Sequence, residues 1–321
     1  MKAVVMTQSN ENVICPHCGE LVKENWKCCP ACEMPLTSFV CPQCKTPVKE
    51  HWKRCPECEA PLLCRSCGRR IPMNRTGCPT CKPESLESSK QVHMFTEPIT
   101  GMVFLYVSGG TFMMGGAFGD GIENEQPVHE VQLDGFYMSE YLVTQAQWKC
   151  VLLENPSKFH GELRPVEQVS WHDVQRFIRK LTEANNGRYQ FLLPTEAQWE
   201  YAARSGGKEE RYAGGDHVAA VAWYVENSGG MTQPVGTKGP NGLGLYDMSG
   251  NVWEWCQDTF RADAYEHHES KNPICTEDGP DRVIRGGSWN LDAWSVRCAR
   301  RFSLQADFYG AGLGFRLVMI P

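Results

Sequence analysis

The sequence predicts an α+β chain in two parts, three small four-cysteine metal-binding modules followed by one larger domain of short strands and amphipathic helices. Three observations carry that prediction. Cysteine is crowded into one end, where thirteen of the 17 precede residue 82 and only Cys150, Cys256, Cys275 and Cys298 lie beyond it. A polar stretch without apolar periodicity follows the crowded end. After it, helix-period and strand-like runs alternate among many Gly and Trp residues. With 321 residues, the chain has room for one sizeable core plus smaller modules.

The modules come first. Cys15-Pro-His-Cys18 is followed by Cys29-Pro-Ala-Cys32, Cys41-Pro-Gln-Cys44 by Cys55-Pro-Glu-Cys58, and Cys64-Arg-Ser-Cys67 by Cys78-Pro-Thr-Cys81, each time after ten intervening residues. This is an internal repeat, with units expected at residues 1–36, 37–62 and 63–82. Val22-Lys-Glu-Asn-Trp-Lys27 matches Val48-Lys-Glu-His-Trp-Lys53, which sets Cys28 opposite Arg54 and makes Cys29 the expected ligand. Two residues between cysteines let a tight turn aim both sulfurs at one ion, and two such turns complete the tetrahedron that Zn²⁺ prefers. The expectation is three structural Zn²⁺ ions, each supplying the folding free energy that a unit of about 20 residues cannot draw from a hydrophobic core. The repeat resembles double zinc ribbon modules, which implies an adaptor role. Residues 1–82 carry 12 basic and 7 acidic side chains, but twelve thiolates on three Zn²⁺ ions cancel that excess. Nucleic acid is therefore not favoured as a partner.

Residues 83–97 are Ser- and Glu-rich and read as a linker, leaving residues 98–321 for the second domain. Met102-Val-Phe-Leu-Tyr-Val107 is expected to be a strand, turned by Gly109-Gly110 into Thr111-Phe-Met-Met114. Residues 144–152 and 171–181 space their apolar side chains as helices do. Pro194-Thr-Glu-Ala-Gln-Trp-Glu-Tyr-Ala-Ala-Arg204 starts a third helix, with proline near its first turn.

Several segments of this domain, in order, resemble the formylglycine-generating enzyme, or sulfatase-modifying factor, family. They are Gly109-Gly-Thr-Phe-Met-Met-Gly115, Glu125-Gln-Pro-Val-His-Glu130, Leu193-Pro-Thr-Glu-Ala-Gln-Trp-Glu-Tyr-Ala-Ala-Arg204, Asn241-Gly-Leu-Gly-Leu-Tyr-Asp-Met-Ser-Gly-Asn-Val-Trp-Glu-Trp255, Arg285-Gly-Gly-Ser-Trp289 and Gly314-Phe-Arg316. The resemblance implies a C-type-lectin-like fold, while function must be argued from the site.

Enzymes of that family oxidise a substrate cysteine with O₂, using two cysteines that bind Cu(I), an ion suited by soft thiolates. Where the family carries the first of the pair, three residues after the serine of Gly-Gly-Ser, this chain has Leu291, and no cysteine occurs between Ser288 and Cys298. Cys298 matches a different family cysteine and reads as a small core residue. The nine histidines show no pair spaced three apart, so the histidine cluster of the related sulfoxide synthases is not expected either. Family members also hold Ca²⁺ near the Asp-Met-Ser-Gly-Asn-Val-Trp-Glu segment. Carried over by residue, Asp247 and Glu254 would give carboxylate oxygens, and Gly250 and Val252 main-chain carbonyls.

Between the anchors at residues 285–289 and 313–316, residues 290–312 mix large aromatic side chains with very small residues and follow no core period. Trp294, Phe302, Leu304, Phe308 and Tyr309 stand out, with Leu291 and Asp292 beside them. Aromatic rings offer large contact area with few rotatable bonds, and Gly, Ala and Ser adjust shape around them. This framing resembles the variable proteins of diversity-generating retroelements, which place a mutable segment at the C-terminus of a C-type-lectin-like scaffold and randomise the adenines of Asn codons. Only Trp294 and Gln305 in the segment lie beyond the reach of changes to the first two bases of AAC. Arg297, Arg300 and Arg301 are expected to pair with carboxylates of the domain.

The resulting expectation is a non-enzymatic protein that binds a protein or other macromolecular ligand through residues 290–312, with the zinc ribbons as adaptor. The alternatives are a formylglycine-generating-type oxidoreductase acting on protein cysteine and a structural interaction protein. A net charge of −6 gives no general attraction for nucleic acid. No apolar run reaches the roughly 18 residues of a membrane helix and no signal peptide is evident, so a cytoplasmic location without membrane contact is expected.

Overall fold

The computed structural model describes residues 94–320 in full, and before them only the backbone of four short strands. The twelve cysteines expected to bind zinc lie outside the described residues, as do the expected boundaries between the three modules. The chain divides into two compact units, Met1–Lys90 and Gln91–Pro321.

In the first unit, β1 (Asn12–Ile14) pairs antiparallel with β2 (Leu21–Lys23), and β3 (Phe39–Val40) with β4 (Pro47–Val48). The registers Val13↔Val22 and Phe39↔Val48 are related by the same shift that aligns the sequence repeats. In sequence, each pair of strands brackets the first cysteine pair of its module.

The second unit runs β5 (Met94–Thr96), β6 (Val103–Val107), β7 (Gly110–Met114), β8 (His129–Leu133), β9 (Phe136–Ser139), α1 (Gln145–Leu152), α2 (Trp171–Ala184), β10 (Phe191–Leu192), α3 (Glu196–Ala203), α4 (Val218–Val221), β11 (Trp253–Thr259), α5 (Ala264–His267), β12 (Asp281–Arg285), β13 (Arg301–Gln305), β14 (Leu313–Gly314) and β15 (Val318–Met319). A five-stranded antiparallel sheet has the order β10-β15-β9-β6-β5. A four-stranded sheet has the order β13-β12-β11-β14, with β14 parallel to β11 and the other pairs antiparallel. β7 and β8 form a separate hairpin.

The sheet begins inside the segment read as a linker. Met94–Thr96 pairs with β6, and Phe95 packs on Tyr189 with ring centroids 4.6 Å apart. A strand of three residues is too short to show a period, which is why sequence reading passed over it. The three long helices start as their sequences indicate. Thr144, Ser170 and Thr195 each accept the backbone N–H three residues on, and Gln147, Asp173 and Gln198 return a side-chain bond to the cap, satisfying donors that a helix start leaves unpaired. Pro194 sits just before the Thr195 cap rather than in the first turn. α2 turns Val174, Phe177, Ile178 and Leu181 inward, and Phe177 stacks on Trp148 of α1 at 5.2 Å. Among the described residues no helix is long and apolar enough to cross a membrane.

Candidate ligand-binding surface

The surface rests on a buried row of charges. Cross-strand register sets Arg301 opposite Arg285, and Arg285 opposite Glu254, on one face of the four-stranded sheet. α3 lies against that face and presents Glu196 and Glu200 one turn apart. Arg285 donates through Nη1 to Glu196 and through Nη2 to Glu200, both at 2.6 Å. Arg301 grips Glu196 with two bonds of 2.7 Å, and Arg204 donates to Glu200 at 2.9 Å. All five side chains are buried. Burial alone would raise the Glu196 carboxyl, but Arg301 and Arg285 override it and hold the group down to about 2. Opposite charges this close cancel most of the desolvation cost that either would carry alone.

After Arg285 the chain turns through Gly286 and Gly287, whose φ values are +92° and +72°. A Cβ at Gly287 would stand 2.6 Å from the Ser295 carbonyl, so only glycine fits the turn. Asp292 then accepts the Ser295 N–H at 2.9 Å and caps a short 3-10 helix, Ala293–Val296. Those bonds to Ser295 hold its carboxyl below the usual range. Arg297 turns inward to grip Glu125 with two bonds of 3.0 Å. Cys298 is fully buried, and burial pushes its thiol up to about 12. Beyond β13 the backbone is pinned again. Gln168 N–H donates to the Gly310 carbonyl, the Trp289 indole to Ala311 and Trp253 N–H to Gly312, at 3.0, 3.0 and 2.8 Å.

On this fixed backbone the aromatic side chains point outward. Trp294, Phe302, Phe308 and Tyr309 are 36, 45, 47 and 63 % exposed. The Arg300 guanidinium lies between the rings of Trp294 and Phe302, 4.8 and 5.7 Å from their centroids, and Phe302 also approaches Trp253 at 6.2 Å. Phe308 and Tyr309 ride on the connection from β13 to β14. Leu291 and Leu304 are half-buried, Leu304 against the core beside α2. The arginines divide as well. All three pair with domain carboxylates as expected, Arg297 and Arg301 through two hydrogen bonds each and Arg300 only through a longer contact of 3.8 Å with Glu125.

The residues do not fit the metals that the family resemblance implies. Both Glu254 oxygens accept from Arg316, at 2.7 and 3.1 Å, and Asp247 accepts from Gly236 N–H at 2.7 Å and Asn251 at 3.4 Å. A guanidinium clamped on the carboxylate occupies the place a Ca²⁺ ion would need. Among the described residues no three His, Cys, Asp or Glu side chains are grouped to hold a metal. Leu291 offers no thiolate for copper, and its backbone is spent on Ser288 and Val225.

Three clefts of about 370, 450 and 550 Å³ are lined by residues outside 290–312, so the exposed rings line none of these three. Sequence reading also passed over a buried carboxylate and a half-buried imidazole. Glu167 is wholly buried, and its Oε2 has no partner. His268 meets the His129 ring at 3.0 Å, and burial lowers it to about 4. The His268 contact carries no signal in local sequence, because His129 lies 139 residues away.

A curled α+β domain with a pinned C-terminal segment and outward aromatic rings defines a scaffold that presents a surface. The sulfatase-modifying factor enzyme 1-like domain family matches residues 90–320, and the chain belongs to it. Its fold is C-type-lectin-like, and a double zinc ribbon, matched at residues 15–59, precedes it. The chain is 32% identical to the chaperone protein LppX of Paenibacillus barcinonensis, over 59% of this chain and 81% of that one. It is 30% identical to the formylglycine-generating enzyme of Streptomyces coelicolor, over 65% and 86%. Among solved structures, Treponema denticola variable protein 1 superimposes with a TM-score of 0.60 at 28% identity, over 71% of this chain and 99% of that one.

Proposed function

We propose that the C-terminal domain is a non-enzymatic recognition scaffold that captures a protein ligand through Trp294, Phe302, Phe308 and Tyr309, with residues 290–312 diversified between copies of the gene. The observation that carries this reading is the division of one short segment into buried arginines that fix the backbone and exposed rings that contribute little to the core. Exposed aromatic side chains on a rigid backbone are the usual anchors of protein recognition. The likeness to a variable protein supports the reading, and Leu291 in place of a family cysteine argues against thiolate-copper chemistry. Selection of displayed random peptides on the full chain tests it. Wild type enriches a consensus and the Trp294→Ala/Phe308→Ala/Tyr309→Ala variant enriches none. Equal enrichment by both, or conversion of a cysteine-containing sulfatase peptide by the purified chain with copper, would overturn the reading.

The zinc ribbons act as a cytoplasmic adaptor holding three structural ions, one for each four-cysteine module. Elemental analysis of protein purified without chelator should find about three zinc equivalents, since a closed four-thiolate site holds one ion. Cys29→Ser should lose one equivalent and Cys28→Ser none.

A further inference from the structure

Among the three arginines of residues 290–312, Arg300 is the one whose side chain makes no hydrogen bond to a carboxylate. Arg297 takes both Glu125 oxygens at 3.0 Å and Arg301 both Glu196 oxygens at 2.7 Å. Arg300 reaches Glu125 only at 3.8 Å, onto an oxygen that Arg297 already holds. Its side chain is 14 % exposed, and its Nε and Nη1 are closed to solvent without any hydrogen-bond acceptor. Burial, with Arg297 and Arg285 adding like charge, lowers its proton affinity from the ordinary arginine value, and Glu125 and Asp292 only partly offset this. A guanidinium in that state gains more from an incoming anion than a solvated one does, because its desolvation has already occurred. Its position adds direction. The exposed rings of Trp294 and Phe302 flank it at 4.8 and 5.7 Å, so an anion that reaches Arg300 brings its neighbouring atoms onto aromatic faces.

We infer that Trp294, Arg300 and Phe302 form a carboxylate-recognition subsite, which takes an acidic side chain of a protein partner flanked by apolar residues. The inference rests on the proposed recognition function and deepens it. A carboxylate suits the site better than a phosphate polymer. A nucleic acid is gripped by many cations acting together, whereas Arg300 stands alone here. Asp292 is exposed nearby, and Arg211 is already claimed by Asp120 at 2.7 Å. One cation without a hydrogen-bonded acceptor, flanked by two rings, matches one acid between apolar neighbours.

The test uses the full chain and the same displayed random peptides, now selected on wild type, Arg300→Met and Arg300→Lys. Wild type should enrich peptides with Asp or Glu at one fixed position between apolar residues. Arg300→Met should keep the apolar preference and lose the acid. Arg300→Lys should keep a weakened preference for it. Replacing the acid of the best synthetic peptide by its amide should weaken binding to wild type by about tenfold or more, the scale of a charged hydrogen bond, and leave binding to Arg300→Met unchanged. Thermal unfolding of both variants should stay close to wild type, because Arg300 makes no side-chain hydrogen bond and the relief of its burial offsets the loss of its 3.8 Å contact with Glu125 and of its ring contacts. A consensus without acid, an acid preference that survives Arg300→Met, or preference for a phosphoserine peptide over its glutamate counterpart would each sink this inference while leaving the recognition function standing. A wild-type selection that enriches nothing would overturn both.

Discussion

Arg301 and Phe302 are neighbours in β13, yet the first is sealed among carboxylates and the second is 45 % exposed. The same contrast runs through the whole segment, with Val296, Arg297 and Cys298 turned in, and Trp294, Phe308 and Tyr309 turned out. The inward side chains hold the backbone in place through ion pairs with residues far away in sequence. The outward ones hold nothing of comparable strength. A segment built this way can change its outward residues at little cost in stability, as a recognition surface open to variation requires.

The largest effect should come from the inward side. Arg301→Met leaves Glu196 with Arg285 as its remaining guanidinium partner and removes a bidentate bond from a fully buried carboxylate. Breaking such a pair from one side costs about 3–5 kcal/mol, read from urea unfolding followed by tryptophan fluorescence. A loss below about 1 kcal/mol would remove the distinction between the two sides, since surface substitutions typically fall within about 0.5 kcal/mol.

A smaller, pH-dependent effect is expected at Glu167, next to Gln168, whose N–H donates to the Gly310 carbonyl. Its Oε1 accepts the Phe159 N–H at 2.8 Å and its Oε2 has no partner. Burial raises the carboxyl to about 7, against the pull of the Phe159 and Lys158 backbone bonds. The folded state therefore favours the protonated form. Its contribution is full below the unfolded value near 4.5 and is lost as pH rises through about 7. Stability of the wild type should fall between pH 5 and 8, and Glu167→Gln, which keeps the Oε1 acceptor, should remove about 1–2 kcal/mol of that fall once solvent screening is allowed for. Asp258 is raised to about 7 by burial and by Glu196, so the difference between variant and wild type, rather than the wild-type curve, isolates Glu167. Parallel curves for the two proteins would show that Glu167 is not protonated in the fold.

The sequence made some of this legible and hid the rest. Thr144, Ser170 and Thr195 announce their helices because a cap is a local device, read from residues three apart. The missing period of Trp294, Phe302, Phe308 and Tyr309 marked them as outside the core for the same reason. Leu291 and Leu304 could not be told from them, since a half-buried leucine has no local mark. Nor could Glu196 be matched to Arg285 and Arg301, because those partners lie 89 and 105 residues away and only the register of β12 with β13 and the packing of α3 against the sheet bring them together. Pairing with domain carboxylates was predictable in kind for Arg297 and Arg301, though not which carboxylate each would take. That Arg300 would be left with the longest of the three contacts needed the structure.

The smallest effect on stability should come from the outward rings. Phe308 and Tyr309 are 47 and 63 % exposed, and truncating either to alanine should stay within about 0.5 kcal/mol, as substitutions away from the core do. Trp294 has more to lose. Its indole donates to the Asp120 carbonyl at 3.1 Å and its ring lies against Arg297 at 4.5 Å, so Trp294→Ala should cost about 1 kcal/mol, the typical worth of one such hydrogen bond. The internal control is Phe177, which is wholly buried and stacked on Trp148, and whose truncation should cost about 3–5 kcal/mol. The triple variant at 294, 308 and 309 should therefore unfold at a temperature much closer to wild type than Phe177→Ala does, while losing peptide capture that depends on aromatic anchors worth about 2 kcal/mol or more each. Stability and binding would then fail separately in the two variants, as a division between support and recognition requires. If the triple variant instead melts as early as Phe177→Ala, the rings are part of the core and the inward and outward halves of the segment are one structure.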